Sequence, residues 1–326
     1  MSEITMVQAI DLALARALSE DPNVIVLGED VGRNGGVFRA TDGLFAKFGP
    51  ERVIDTPVAE VGIAGISIGL AAQGFRPVAE IQFTGFAYAT LDQIVNHASR
   101  LRTRTRGRLT CPMVLRSPCG GGIRAIEHHS ESPEAMFAHI PGLRTVIASS
   151  PRRAYGLLLA AIRDPDPVVF LEPTRLYRGA KEEVADDSIA LPLDRAFVLR
   201  EGSDVSIVTW GGMVSEALDA AAELQQRGIG AEIIDVATLK PLDAETIITS
   251  VRKTGRCVIV HEAPRTGGYG GEVAAQIAER ALTSLIAPIE RVAGFDTVMP
   301  LPRLEDVYLP HAARIIAAAQ RAMAYR

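Results

Sequence analysis

Cysteines and aromatic rings are scarce in this chain. There are three cysteines, Cys111, Cys119 and Cys257, irregularly spaced, and a single tryptophan. So few thiols in no paired pattern exclude a disulfide framework and a paired-ligand zinc site, and fit a reducing compartment. An excess of positive charge is also missing. The formal net charge is −5, which argues against a polynucleotide-binding surface. The longest weakly polar run, near residues 61–72, holds three glycines and is too short to span a bilayer. The stretch MSEITMVQAIDL has no basic region ahead of an apolar one, so no secretory signal is expected. These absences point to a cytoplasmic protein with neither a nucleic-acid nor a membrane partner.

Several motifs are absent too. No G-x-x-x-x-G-K-[ST] occurs, so a P-loop nucleotide site is unsupported. Gly120, Gly122 and Ala125 fit G-x-G-x-x-A, but IEHHSESPEA follows, which does not start the amphipathic helix a dinucleotide site requires. Ser130 beside His129 has no G-x-S-x-G elbow around it. His128 and His129 are adjacent, and two adjacent side chains rarely reach one metal ion together.

What is present is a long chain with a large apolar share. Its 326 residues, 48% hydrophobic and 22% charged, suit two domains with substantial cores. Thr5 and Gln8 have capping-box spacing ahead of a helix bearing Met6, Ile10, Leu14 and Leu18. VIVL (24–27), VAEIQF (78–83), MVLRS (113–117), TVIAS (145–149) and VVFLE (168–172) read as buried strands, with helices at 58–72, 87–101 and 152–164. Residues 173–203 break this rhythm with Pro173, Pro192, a charged cluster at Lys181–Glu183 and the pair Asp186 and Asp187. Strands at 205–210, 231–236 and 257–262 then alternate with helices at 213–227, 243–252, 271–284 and 310–324. The pattern predicts two α/β domains with parallel sheets, at 1–185 and 204–326, joined by a linker at 186–203.

Glu60, in IDTPVAEVGIAG (54–65), is a lone carboxylate among Val58, Ala59, Val61, Ile63 and Ala64. Apolar surroundings resist a carboxylate's ionisation and allow it to share a proton near neutral pH. Glutamate is also an ordinary helix-start residue, so local sequence leaves both readings open. His129 lies just before SESPEAMF, where Ser130 or Ser132 is placed to cap a helix beginning at Pro133. A histidine at such a helix start favours its neutral form, able to give or take a proton, and a histidine that merely closes a turn fits equally well. Arg100, Arg102, Arg104, Arg106 and Arg108 alternate in RLRTRTRGR. Without interleaved aromatics, they read as a solvated face or a contact to an acidic chain.

Taken together, TMVQAI (5–10), LGEDVG (27–32), GGVFRATDGL (35–44), RVIDTP (52–57), EIQF (80–83), DQIVN (92–96), RSPCGGG (116–122), HSESPEA (129–135), FLEPTRLYR (170–178), KTGRCVIVHEAPR (253–265) and GFDTVMP (294–300) run in order through the chain. They resemble the β subunit of the thiamine-diphosphate-dependent component of 2-oxo acid dehydrogenase complexes. The resemblance implies a pyrimidine-binding parallel-sheet domain followed by a transketolase-type C-terminal α/β domain. By resemblance, Glu60 hydrogen-bonds N1′ of the cofactor's aminopyrimidine and Phe86 packs against that ring. Gln82 lines the same pocket, and Glu29 lies near it. His129 matches a histidine that assists acyl transfer. Met113, Ala161, Ile162, Asp164 and Asp166 match a structural potassium site built largely from backbone carbonyls, with Asp166 where some relatives have Asn.

The family binds diphosphate through magnesium at a GDG…N motif. No GDG occurs here; the nearest stretch is Thr41-Asp42-Gly43. The resemblance therefore implies a separate α subunit carrying magnesium and the diphosphate half, in an α2β2 heterotetramer, with this chain inactive alone. It also implies a dihydrolipoyl acyltransferase partner whose lipoyl group accepts the acyl product of a 2-oxo acid. The motifs lean to a branched-chain acid such as 2-oxoisovalerate, then pyruvate, then acetoin. A thiamine-fold regulatory subunit is the non-enzymatic alternative. His261, by the Gly-rich TGGYGG, fits either a structural loop or a site.

Overall fold

A computed structural model describes residues 2–325, which form two compact units. Of the described residues, the first comprises 2–119 and 136–193, and the second 120–135 and 194–325. The main sheet of the first unit is parallel, its strands in the spatial order Arg144–Ile147, Val168–Pro173, Val114–Cys119, Arg76–Glu80, Val24–Gly28, Val53–Asp55. Each is short and mostly apolar, as strands covered on both faces must be. Helix Met6–Glu20 starts with the Thr5 N–H donating to Gln8 Oε1 at 3.0 Å. It packs against helix Pro151–Arg163, which the Ser150 hydroxyl caps and Pro151 opens. Ile10, Leu14, Leu157 and Leu158 are fully buried there, each contributing about 2 kcal/mol of apolar burial.

In the second unit the order is Glu290–Gly294, Cys257–Pro264, Val205–Thr209, Ala231–Asp235, Phe197–Arg200, with only the last strand antiparallel. Val205, Ile207, Ile233, Val258 and Val260 pack against helices Met213–Gln226 and Ala312–Ala324.

The structure differs from the pattern reading in three places. The region 87–101, expected as one helix, is a chain of short turns: Thr84–Ala87, Tyr88–Thr90, Leu91–Asn96, Ala98–Arg100 and Leu101–Arg104. The linker carries the edge strand Phe197–Arg200, and ahead of it Glu182–Val184 pairs with Ser2–Ile4. Residues 120–135 group with the second unit rather than the first. They are held there by the Gly121 N–H on Glu262 and by Trp210 Nε1 donating to Glu134 Oε1 at 3.1 Å.

Candidate active site

Three neighbouring parallel strands of the first unit deliver the predicted pyrimidine-side residues to one edge of the sheet. Glu29 follows Val24–Gly28, Glu60 follows Val53–Asp55, and Gln82 follows Arg76–Glu80. The carboxyl ends of parallel strands are where open α/β sheets hold ligands. Gly28 allows the close approach, because a Cβ there would lie 2.7 Å from the Glu80 carbonyl oxygen.

Glu60 is the first residue of helix Glu60–Ala72 and is half-buried. Its apolar neighbours in sequence do not bury it. Val58 is 81% exposed and Val61 46%. Glu29 is the buried member of the pair. Burial first, and then the charge of Glu60, push the Glu29 carboxyl up, opposed by a hydrogen bond from the Ala59 N–H. Glu29 Oε1 has no hydrogen-bond partner among the described residues.

Phe86 lies in the short helix Thr84–Ala87 with its ring edge-on to Phe83 at 6.2 Å, and Phe83 meets Phe38 at 5.3 Å. Gln82 is half-buried beside them in sequence. The motif reading missed the charge cluster beneath. Arg116, fully buried, donates to Glu80 and to both oxygens of Glu172, each at 2.8 Å, and the Tyr177 hydroxyl also donates to Glu172. A charged residue in each of two apolar strands, 116 and 172, was the available signal.

The expected potassium residues come together at the end of helix Pro151–Arg163, but their carbonyls are engaged. Arg76 Nη1 donates to the carbonyl oxygens of Ile162 at 2.9 Å and Asp164 at 3.3 Å. Ala161 O accepts from the Asp164 N–H, and Met113 O from the Val168 N–H. The Asp166 carboxylate pairs with Arg102 at 2.7 Å. The guanidinium of Arg76 thus meets two of the carbonyls that the resemblance assigns to potassium, those of Ile162 and Asp164.

His129 belongs to the second unit, on the turn Glu127–His129, with its ring 4.3 Å from that of His128. Burial, and then the neighbouring His128, hold the His129 imidazole below its usual range. The sequence reading attributes such a shift to a helix start; here burial and His128 are its causes. The following helix, Glu134–His139, starts later than expected. Ser130 Oγ donates to Ile126 O and Ser132 Oγ to Glu262 Oε1, both at 3.3 Å.

Carboxylates fix the base of this loop. Gly121 N–H donates to Glu262 and Gly122 N–H to Glu305. Gly120, with φ +76°, has no room for a Cβ, which would lie 2.9 Å from Glu262 Oε1. Behind them Trp210 stacks on His261 with centroids 5.4 Å apart. Burial pushes His261 down to about 4, a structural neutral ring.

Residues 2–180 match the transketolase pyrimidine-binding domain, and residues 194–315 the transketolase C-terminal domain. The chain is 50% identical to the pyruvate dehydrogenase E1 component subunit beta of Bacillus subtilis (strain 168), over 100% of both chains. The corresponding subunit of Staphylococcus aureus (strain Mu50) is 48% identical, again over 100% of both. A solved split-gene transketolase, described as an inactive beta4 tetramer, superposes with a TM-score of 0.82 at 28% identity, covering 99% of each chain. The chain belongs to the family of β subunits of thiamine-diphosphate-dependent 2-oxo acid dehydrogenases, built on the transketolase-type two-domain fold.

Proposed function

We propose that this chain is the β subunit of a pyruvate dehydrogenase, working with a separate α subunit that binds magnesium and the diphosphate. The observation that carries the reading is the carboxylate pair Glu29 and Glu60 at the sheet edge, with Glu29 Oε1 buried and unpartnered. An aminopyrimidine fits this arrangement: it offers N–H donors to carboxylates and a flat face to Phe86.

Thiamine diphosphate, when bound, supplies the nucleophilic carbon and the electron sink for decarboxylation. The protein's part is proton management and positioning. Glu60 holds the proton at N1′ of the aminopyrimidine. Glu29 sits beside Glu60, its carboxyl pushed up by burial and by the charge of Glu60. Phe86 fixes the ring plane. His129, its imidazole held below the usual range by burial and by His128, would give or take the proton as the acyl group passes to the lipoyl arm of a dihydrolipoyl acyltransferase.

Pyruvate is the favoured substrate because full-length relatives at about half identity are pyruvate dehydrogenase subunits. That departs from the branched-chain lean of the motifs, which rests on HHSESPEAMFAHIPG (128–142). The split-gene transketolase, inactive as a β tetramer, supports the expectation that this chain needs its α partner. The test is co-expression with the α subunit and parallel decarboxylation assays on pyruvate and 2-oxoisovalerate. Higher kcat/KM for pyruvate is expected; a preference for 2-oxoisovalerate would overturn the substrate, and no activity on either would overturn the reading.

A further inference from the structure

The first unit contains a cavity that the proposed chemistry does not use. It has a volume of about 560 Å³ and shares no lining residue with the Glu29, Glu60, Gln82 and Phe86 group. Three cations line it: Arg39, Arg178 and Lys181. The side chains of Arg178 and Lys181 make no hydrogen bond or ion pair among the described residues. Arg39 bonds only the side chain of Asn34, at 2.9 Å, and its backbone sits at φ +67°. A side-chain-bearing residue rarely adopts that left-handed conformation, and such strain concentrates where a side chain must be aimed.

Phe38 and Val7 supply apolar wall, and two carboxylates, Asp11 and Asp42, line the cavity with Thr5 and Gln8. Asp11 Oδ1 is buried with no hydrogen-bond partner. Leaving such an oxygen unmet is costly unless a ligand or a proton satisfies it. Burial and the charge of Asp42 push the Asp11 carboxyl up to about 7, while Arg116 and Lys47 pull it the other way. The volume is that of a small-molecule site and well beyond what a bare ion fills.

We propose that this cavity binds a small phosphorylated metabolite, its phosphoryl dianion among Arg39, Arg178 and Lys181 and a hydroxyl of its carbon part donating to Asp11. Unpaired guanidinium and ammonium groups suit a phosphoryl dianion, and Arg engages it through paired N–H donors. The apolar wall at Phe38 faces the ligand's carbon chain.

The test is isothermal titration of the full chain with glycerol 3-phosphate, and separately with inorganic phosphate and inorganic sulfate. The ester is expected to bind at least about ten-fold more tightly than either inorganic ion, because only the ester reaches Asp11 as well. The double variant Arg178→Ala/Lys181→Ala, at two exposed positions, should weaken the ester by about ten-fold or more. Asp11→Asn should weaken the ester while leaving sulfate unchanged. Arg303→Ala, exposed on the second unit, should change nothing. Equal affinity of the wild type and the double variant would overturn the proposal. So would sulfate binding as tightly as the ester, which would leave only a surface anion site. The titration repeated on the chain assembled with its α partner should give the same order; loss of ester binding there would remove the site from the working enzyme.

Discussion

Glu29 lies buried beneath the start of the helix that Glu60 opens, and the charge of Glu60 reaches it. The two carboxylates come from neighbouring strands and act on one patch of the sheet edge. They differ in exposure: Glu60 is half-buried, whereas burial and the charge of Glu60 push the Glu29 carboxyl up.

Glu60→Gln, assembled with the α partner, should lower pyruvate decarboxylation by at least about 100-fold, the usual scale of a lost general acid–base group. The thermal midpoint of the isolated subunit should stay within a few degrees, since the side chain is only half-buried. A steady-state assay together with a melting curve checks both, and near-normal turnover would sink the assignment of Glu60.

His129→Ala should separate two activities. Reductive acylation of a lipoyl domain should fall by about 100-fold, while decarboxylation followed with an artificial electron acceptor should change by only a few-fold. Equal losses in both assays would move His129 from acyl transfer to the decarboxylation step.

Arg116→Met should destabilise the first unit by about 3–5 kcal/mol, because Glu80 and Glu172 would be left buried without their counter-charge. Denaturant unfolding of the subunit measures this. A loss under about 1 kcal/mol would mean the triad is already compensated by other groups.

Glu134→Gln tests a pH effect. Burial, chiefly, pushes the Glu134 carboxyl from 4.5 up to about 7. A carboxyl raised on folding leaves stability intact below its unfolded value and erodes it as pH climbs from about 4.5 through about 7. The variant keeps an acceptor for Trp210 and removes that titration. It should gain on the order of 3 kcal/mol over the wild type at pH 8 and nothing near pH 4. Melting curves at both pH values check it, and parallel pH profiles for the two proteins would contradict it.

The alternation of strands and helices was legible because VIVL, VVFLE and VSIVTW are continuous apolar runs between turn signals. The short edge strands were not. Val53–Asp55 and Phe197–Arg200 are brief and mixed in polarity, and only pairing with a neighbour already in place makes them strands. Region 87–101 looks helical by composition, yet Ser99 Oγ bonds Val95 O and Thr90 Oγ1 bonds Ala87 O, local bonds that accompany the breaks between turns.

At the site, residue types were legible and environments were not. The apolar neighbours of Glu60 suggested burial, but Val58, ahead of the helix, and Val61, by its helical phase, are exposed, which local composition does not reveal. The bonds from Arg116 to Glu80 and Glu172 join residues 36 and 56 positions apart, beyond the reach of any local pattern. Arg76 on the Ile162 and Asp164 carbonyls was invisible for the same reason.

The helix Glu60–Ala72 leaves Val61 and Ile66 bare on its first turns, and Val58, just ahead of it, is bare too. In a test tube this makes the lone subunit a sticky object: above modest concentrations its copies should meet through these side chains, and its yield should rise when it is synthesised alongside its partner rather than purified first and mixed later.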